Sequence, residues 1–175
     1  MTGDIKKTDT REITLIGLLS ALCVVSRITL QFLPNIKPVT SIIVLVSCRY
    51  GCRFGIKVAI ISTLISNMIL GMGSWLPFQI LAWSVIALLS GLIGKSTISK
   101  SIIFMSCFSF FCGYIFGFLV SFEKLLYGGV KVFLAYYISG LYFDTLHAIG
   151  NFVFMLVIFN PLSRILRPQP DDPTL

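Results

Sequence analysis

The sequence predicts an all-α membrane protein with six transmembrane helices, and three observations predict it. Of 175 residues, 56% are hydrophobic and only 12% charged, against ~45–50% and about 25% in soluble domains. Mean hydropathy is +0.93. The apolar residues fall in runs near the ~20 residues a spanning helix needs, separated by proline, glycine and basic residues. A soluble domain of about 150 residues buries about 70% of the surface its chain exposes, too little to hide this much apolar area. An ordinary soluble enzyme, a disordered chain and a fibrous chain are excluded. Residues 1–175 read as one integral membrane domain with polar tails at 1–11 and 163–175.

The elements follow in order. Helix 1 is expected over Ile13–Phe32, too long for a signal-peptide core and without a small-residue cleavage site. Pro34-Asn35-Ile36-Lys37-Pro38 then breaks the chain. Val39–Cys48 makes a short or tilted helix 2, and Arg49–Phe54 a turn edged by Gly51 and Gly55. Helix 3 covers Gly55–Leu70, and Gly71-Met72-Gly73-Ser74 is a tight loop. Helix 4 runs from about Trp75 to Gly94, with Pro77 tolerated in its first turn. Lys95–Lys100 is a polar connection, followed by helix 5 over Ile102–Phe122. Glu123–Gly140, carrying Gly128-Gly129, is expected to be the longest loop, part of it able to form helix. Helix 6 runs from about Tyr142 to Phe159 and stops at Asn160-Pro161.

The net charge of +7 forms no single basic stripe, which argues against nucleic acid. With six spans, ten basic residues fall on the side of the termini: Lys6, Lys7, Arg11, Arg49, Arg53, Lys57, Lys95, Lys100, Arg164 and Arg167. Four fall opposite: Arg27, Lys37, Lys124 and Lys131. The positive-inside rule then places both termini in the cytoplasm. The five cysteines (Cys23, Cys48, Cys52, Cys107 and Cys112) lie in apolar runs without metal-ligand spacing, so they read as small hydrophobes and no metal site is expected.

That topology gathers the strongly polar intramembrane residues in the outer half. Arg27 and Gln31 end helix 1, and Asn67 lies near the outer end of helix 3. Trp75, Gln79 and Trp83 descend helix 4 at four-residue spacing, and Asp144, His147 and Asn151 descend helix 6 at spacings of three and four, each set on one face. Polar groups in lipid face a cavity or each other. One reading is bonding between helices, with Trp75 in an interfacial belt. The other is a pocket open to the outside, suited to a small polar organic solute. Arg27 and Lys37 beside it would accept an anionic group, although Arg27 could instead snorkel to the headgroups. In the inner half, Gly17 and Ala21 form a small-xxx-small pair that lets another helix approach closely. Gly113 and Gly117 repeat the spacing, and internal packing explains such pairs equally well.

Three other functions were weighed. An intramembrane hydrolase lacks paired glutamates, a second metal ligand for His147 and a glycine after Ser74. A small channel lacks an acidic ring. A stand-alone secondary transporter lacks an inverted repeat and an obvious ion-coupling carboxylate pair. No phosphate-binding GxxxxGK[ST] motif is present, so the chain holds no ATP site of its own.

Four segments carry a family resemblance. They are Ala21-Leu22-Cys23-Val24-Val25-Ser26-Arg27, then Pro34-Asn35-Ile36-Lys37-Pro38-Val39-Thr40. Ser66-Asn67 follows with Gly71-Met72-Gly73-Ser74-Trp75 and Gln79, and finally Phe143-Asp144 with His147 to Asn151. Along nearly its whole length the chain resembles the substrate-binding S components of energy-coupling factor (ECF) transporters, bacterial importers of vitamins. The resemblance implies a multi-pass protein of the bacterial cell membrane that binds a vitamin outside. It implies partners as well: a transmembrane scaffold subunit and two cytoplasmic ATPases, which hydrolyse the ATP while the S component topples to carry its site inward. No cofactor is expected on this chain. Substrate-binding candidates are Arg27, Asn35, Lys37, Asn67, Trp75, Gln79, Trp83, Asp144, His147 and Asn151. Gly17 and Ala21 match the family's alanine pair that grips the scaffold, with glycine in place of the first alanine. The roof of the family's pocket maps onto Pro34–Pro38, Gly71–Ser74 and Glu123–Gly140. Cobalamin and pantothenate are the expected substrates, with pyridoxine and pyrimidine solutes also compatible.

Overall fold

The computed structural model describes residues 7–166. Lys6, Arg167 and the outer parts of both expected tails lie outside them. The described residues form six α-helices and two 3-10 turns: α1 (Lys7–Thr29), α2 (Val39–Tyr50), α3 (Cys52–Leu70), α4 (Leu76–Gly94), α5 (Ile102–Ser121) and α6 (Leu125–Ile165), with the turns at Thr97–Lys100 and Phe122–Lys124.

Local chemistry sets most boundaries. Pro38 immediately precedes α2 and Pro77 sits in the first turn of α4, where a missing N–H costs nothing. Ser101 accepts the Phe104 amide and caps α5. The expected turn over Arg49–Phe54 shrinks to Gly51, whose φ of 87° lets the chain reverse in one residue. Cys52, Arg53 and Phe54 are already helical, and Gly55 lies inside α3. α1 starts earlier than expected, at Lys7, and ends earlier, at Thr29.

The largest correction concerns Glu123–Gly140, expected as the longest loop. It is a 3-10 turn followed by the first sixteen residues of α6. Non-helical geometry is confined to Gly128 and Gly129, and Gly129 takes φ 64°. The glycine pair therefore kinks a helix instead of opening a loop, because the residues on both sides are apolar helix formers. α6 also passes through Pro161, which interrupts few backbone bonds so close to the helix end.

α2 is the centre of the bundle. Every residue from Val39 to Ser47 is buried, and α2 contacts each of the other five helices. Its 12 residues rise about 18 Å, short of the ~30 Å hydrocarbon core. α1, α3 and α4 each contain a stretch long and apolar enough to cross, and α5 and α6 together form a fourth such stretch. Lipid-facing surface is apolar: Leu18, Val25, Met68, Leu92, Phe111 and Val157 are all exposed. In water such a surface would be a liability; in a bilayer it is the matching solvent.

Two small-residue pairs behave differently. A Cβ built on Gly113 would lie 2.7 Å from the Ala148 Cα, and one on Gly117 would overlap the Asp144 carboxyl. These glycines let α5 and α6 pack antiparallel at close range. Gly17 has nothing within 4 Å of such a Cβ, and both Gly17 and Ala21 are exposed on α1.

Candidate functional site

The polar residues converge where the α1–α2, α3–α4 and α5–α6 connections meet. Asn67, two-thirds of a turn from the end of α3, is the hub of one cluster. Its Oδ1 accepts from Trp75 Nε1 at 3.1 Å. Its Nδ2 donates to Gln79 Oε1 at 2.9 Å and to the Thr63 carbonyl at 2.8 Å. The α3–α4 connection is thereby tied back onto both helices it joins.

A second cluster runs through the adjacent Ser66. The buried Arg27 donates to Ser66 Oγ at 2.7 Å, and its guanidinium lies 5.1 Å from the Trp83 ring centroid, a cation–π arrangement. Trp83 Nε1 donates to Thr40 Oγ1 at 3.0 Å. Thr40 meets His147 Nε2 at 3.1 Å, and His147 Nδ1 meets the Asn35 carbonyl at 2.8 Å. A carbonyl only accepts, so Nδ1 carries a proton. A neutral imidazole then accepts the Thr40 hydroxyl at Nε2, and every donor in the chain from Trp83 to Asn35 finds an acceptor. The Phe116 ring closes the cluster, 4.6 Å from Trp83 and 5.3 Å from His147 between centroids.

Asn35 joins this network to the mouth. It adopts φ 57°, a left-handed conformation asparagine tolerates better than most residues. Its carbonyl thus faces His147 while its Nδ2 donates to the Phe143 carbonyl at 2.9 Å. On the other side, Ser74 of the α3–α4 connection donates to the Glu123 carboxylate, which also pairs with Lys124 at 3.0 Å. Lys124 lies 4.7 Å from the Tyr136 ring centroid. The connections are therefore latched to each other and to α6.

Between these clusters lies a cavity of about 480 Å³, lined by Asn35 and Gln79 with residues of α5 and α6, among them Phe116, Tyr136, Phe143 and Asp144. Its volume is in the ~300–1,000 Å³ range of small-molecule sites. Aromatic faces alternate in it with amide, hydroxyl and carboxylate groups.

The structure thus brings together all the expected binding residues except Lys37 and Asn151. Lys37 is half-buried in the α1–α2 connection and makes no hydrogen bond or ion pair among the described residues. Burial, and then the nearby Arg27 charge, lowers the pKa of its ammonium. Asn151 is fully buried one turn beyond His147 and does not line the cavity; its side-chain amide has no hydrogen-bond partner among the described residues. Both nitrogens of His147 are engaged within the protein, so it holds the site together. Thr40, Ser66, Phe116, Gly117 and the Ser74–Glu123 pair were not singled out from the sequence. Only Thr40 and Ser66 lay in segments already marked, beside Pro38 and Asn67, and hydroxyls and phenylalanines are too common in membrane helices to stand out.

The family described as ECF-type riboflavin transporter, S component, matches residues 7–168. The chain belongs to that family. It is an ECF substrate-binding subunit, a class not itself catalytic, so the hydrolase alternative falls. Membership in the S-component family implies association with an ECF scaffold and ATPase module and a small-molecule substrate. No curated protein and no solved structure matches the chain. This S component therefore has its site described by its own geometry: two hydrogen-bonded clusters, a latch across the connections and a cavity between them.

Proposed function

We propose that the S component binds a flavin of the riboflavin class from outside the cell and delivers it to a shared ATP-driven module. The observation that carries this reading is the aromatic and amide-lined cavity of about 480 Å³, in a chain whose family description names riboflavin. Phe116, Tyr136 and Phe143 offer faces for a planar ring, and the surrounding amides and hydroxyls suit its polar edge and hydroxylated chain. Riboflavin was not among the solutes expected from the sequence, and it replaces them here.

Six membrane crossings, with α2 inserted as the short central one and both termini cytoplasmic, accord with the ten-to-four basic asymmetry. The cavity end then faces outward. Gly17 and Ala21 form the scaffold-docking stripe, in keeping with their exposure and with the open space at Gly17. ATP is consumed by the partner ATPases, and the subunit alone binds without pumping.

The test is a titration of riboflavin fluorescence with the purified chain in detergent. Saturable quenching at one site per chain is expected. Absence of quenching, with no flavin retained through purification from riboflavin-rich medium, would refute the flavin assignment.

A further inference from the structure

The cavity holds one group whose chemistry is unspent. Asp144 lines it at 8% exposure, yet takes part in no hydrogen bond or ion pair among the described residues. A carboxylate removed from water without a partner is costly. The neighbouring geometry nevertheless makes room for it: a Cβ on Gly117 would overlap the carboxyl group, so α5 carries glycine where Asp144 needs space.

The other polar liners share a bias. Ser121 spends its proton on the Gly117 carbonyl at 2.7 Å and Ser139 on that of Tyr136 at 2.9 Å, which leaves oxygen lone pairs toward the cavity. Asn35 spends its Nδ2 on Phe143, leaving Oδ1. Gln79 is the exception, since its Oε1 is taken by Asn67 and its NH2 remains. The cavity therefore presents mostly acceptors, with a carboxylate among them.

We infer that Asp144 is the specificity-determining acceptor of this cavity, that Gly117 is its positioning residue, and that the substrate is rich in N–H or O–H donors and carries no anionic group at this point. This deepens the flavin reading and rests on the same cavity. An imide N–H and a polyhydroxylated chain satisfy it; a carboxylate-bearing solute such as pantothenate does not.

The experiment uses the full chain in detergent, with riboflavin and pantothenate as probes, and measures thermal unfolding without ligand. Asp144→Ala should weaken riboflavin binding roughly tenfold or more, the loss of a hydrogen bond to a charged group. Gly117→Ala, which keeps the carboxylate but displaces it, should weaken binding too. The isosteric Asp144→Asn should unfold at or above the wild-type temperature, because it removes an uncompensated buried charge. Unchanged riboflavin affinity in Asp144→Ala, pantothenate binding by the wild type, or a lower unfolding temperature for ligand-free Asp144→Asn would each overturn the inference. If riboflavin fails to bind the wild type, the flavin reading falls by itself. The unfolding temperature of Asp144→Asn then decides the role of Asp144: unchanged or raised supports it, lowered overturns it.

Discussion

Trp75 Nε1 donates to Asn67 Oδ1 across the α3–α4 connection at 3.1 Å, and this contact fixes which way the Asn67 amide points. With the oxygen held by the indole, the nitrogen is directed at Gln79 and the Thr63 carbonyl. Gln79 in turn lines the cavity. One amide thereby orients a cavity wall it does not itself form.

Asn67→Ala should weaken substrate binding roughly ten- to a hundredfold, the equivalent of about 1–3 kcal/mol for buried partners left unpaired. Titration of the purified variant checks this. Asn67→Asp keeps an acceptor for Trp75 but cannot donate to Gln79 or Thr63, so it should not restore affinity. Full activity in Asn67→Asp would show that the orientation of Gln79 is unimportant.

Thr40→Val tests the relay between α4 and α6. Valine matches threonine in shape but removes the hydroxyl that receives Trp83 and reaches His147. Two buried nitrogens lose their partner, a cost of about 1–3 kcal/mol each way the site can relax. The unfolding temperature in detergent should fall clearly below wild type. An unchanged value would mean that water or another group takes over the Thr40 position.

The latch between connections predicts a local effect. Ser74→Ala removes the hydrogen bond to Glu123 while leaving the Lys124 ion pair. Amide hydrogen exchange should speed up in 71–75 and 122–126 and stay unchanged in the buried α2 segment Val39–Ser47. Uniform exchange across all three segments in wild type and variant alike would remove the latch from the account.

Much of this arrangement was legible because membrane helices have strict length and strict punctuation. Pro38, Gly71 and Gly94 each stand at or beside a real boundary. Asp144, His147, Trp83 and Asn67 stood out because polar groups in lipid need partners. Periodicity on one helix cannot say which neighbour supplies them. Thr40 is a hydroxyl in an apolar run and gives no signal until α4 and α6 are seen on either side. Asn151 shares the helical face of Asp144 and His147, yet it sits below the cavity because α2 fills the space there. Gly128-Gly129 resembled loop punctuation, but the apolar surroundings kept the helix going and left only a kink. Gly113 and Gly117 matched Gly17 and Ala21 in spacing; only the packing of α6 against α5 distinguishes an internal seam from an open face.

The central claim is that binding and docking occupy separate surfaces of one subunit, and the double variant Gly17→Leu/Ala21→Leu tests it most directly. Both positions are exposed and Gly17 meets nothing, so added bulk should leave the fold and the cavity intact while blocking close approach of a partner helix. One preparation is measured twice, by riboflavin titration of the isolated chain and by co-purification with the ECF scaffold. The account predicts riboflavin affinity within about twofold of wild type and loss of scaffold capture. Loss of riboflavin binding with scaffold capture retained would contradict it.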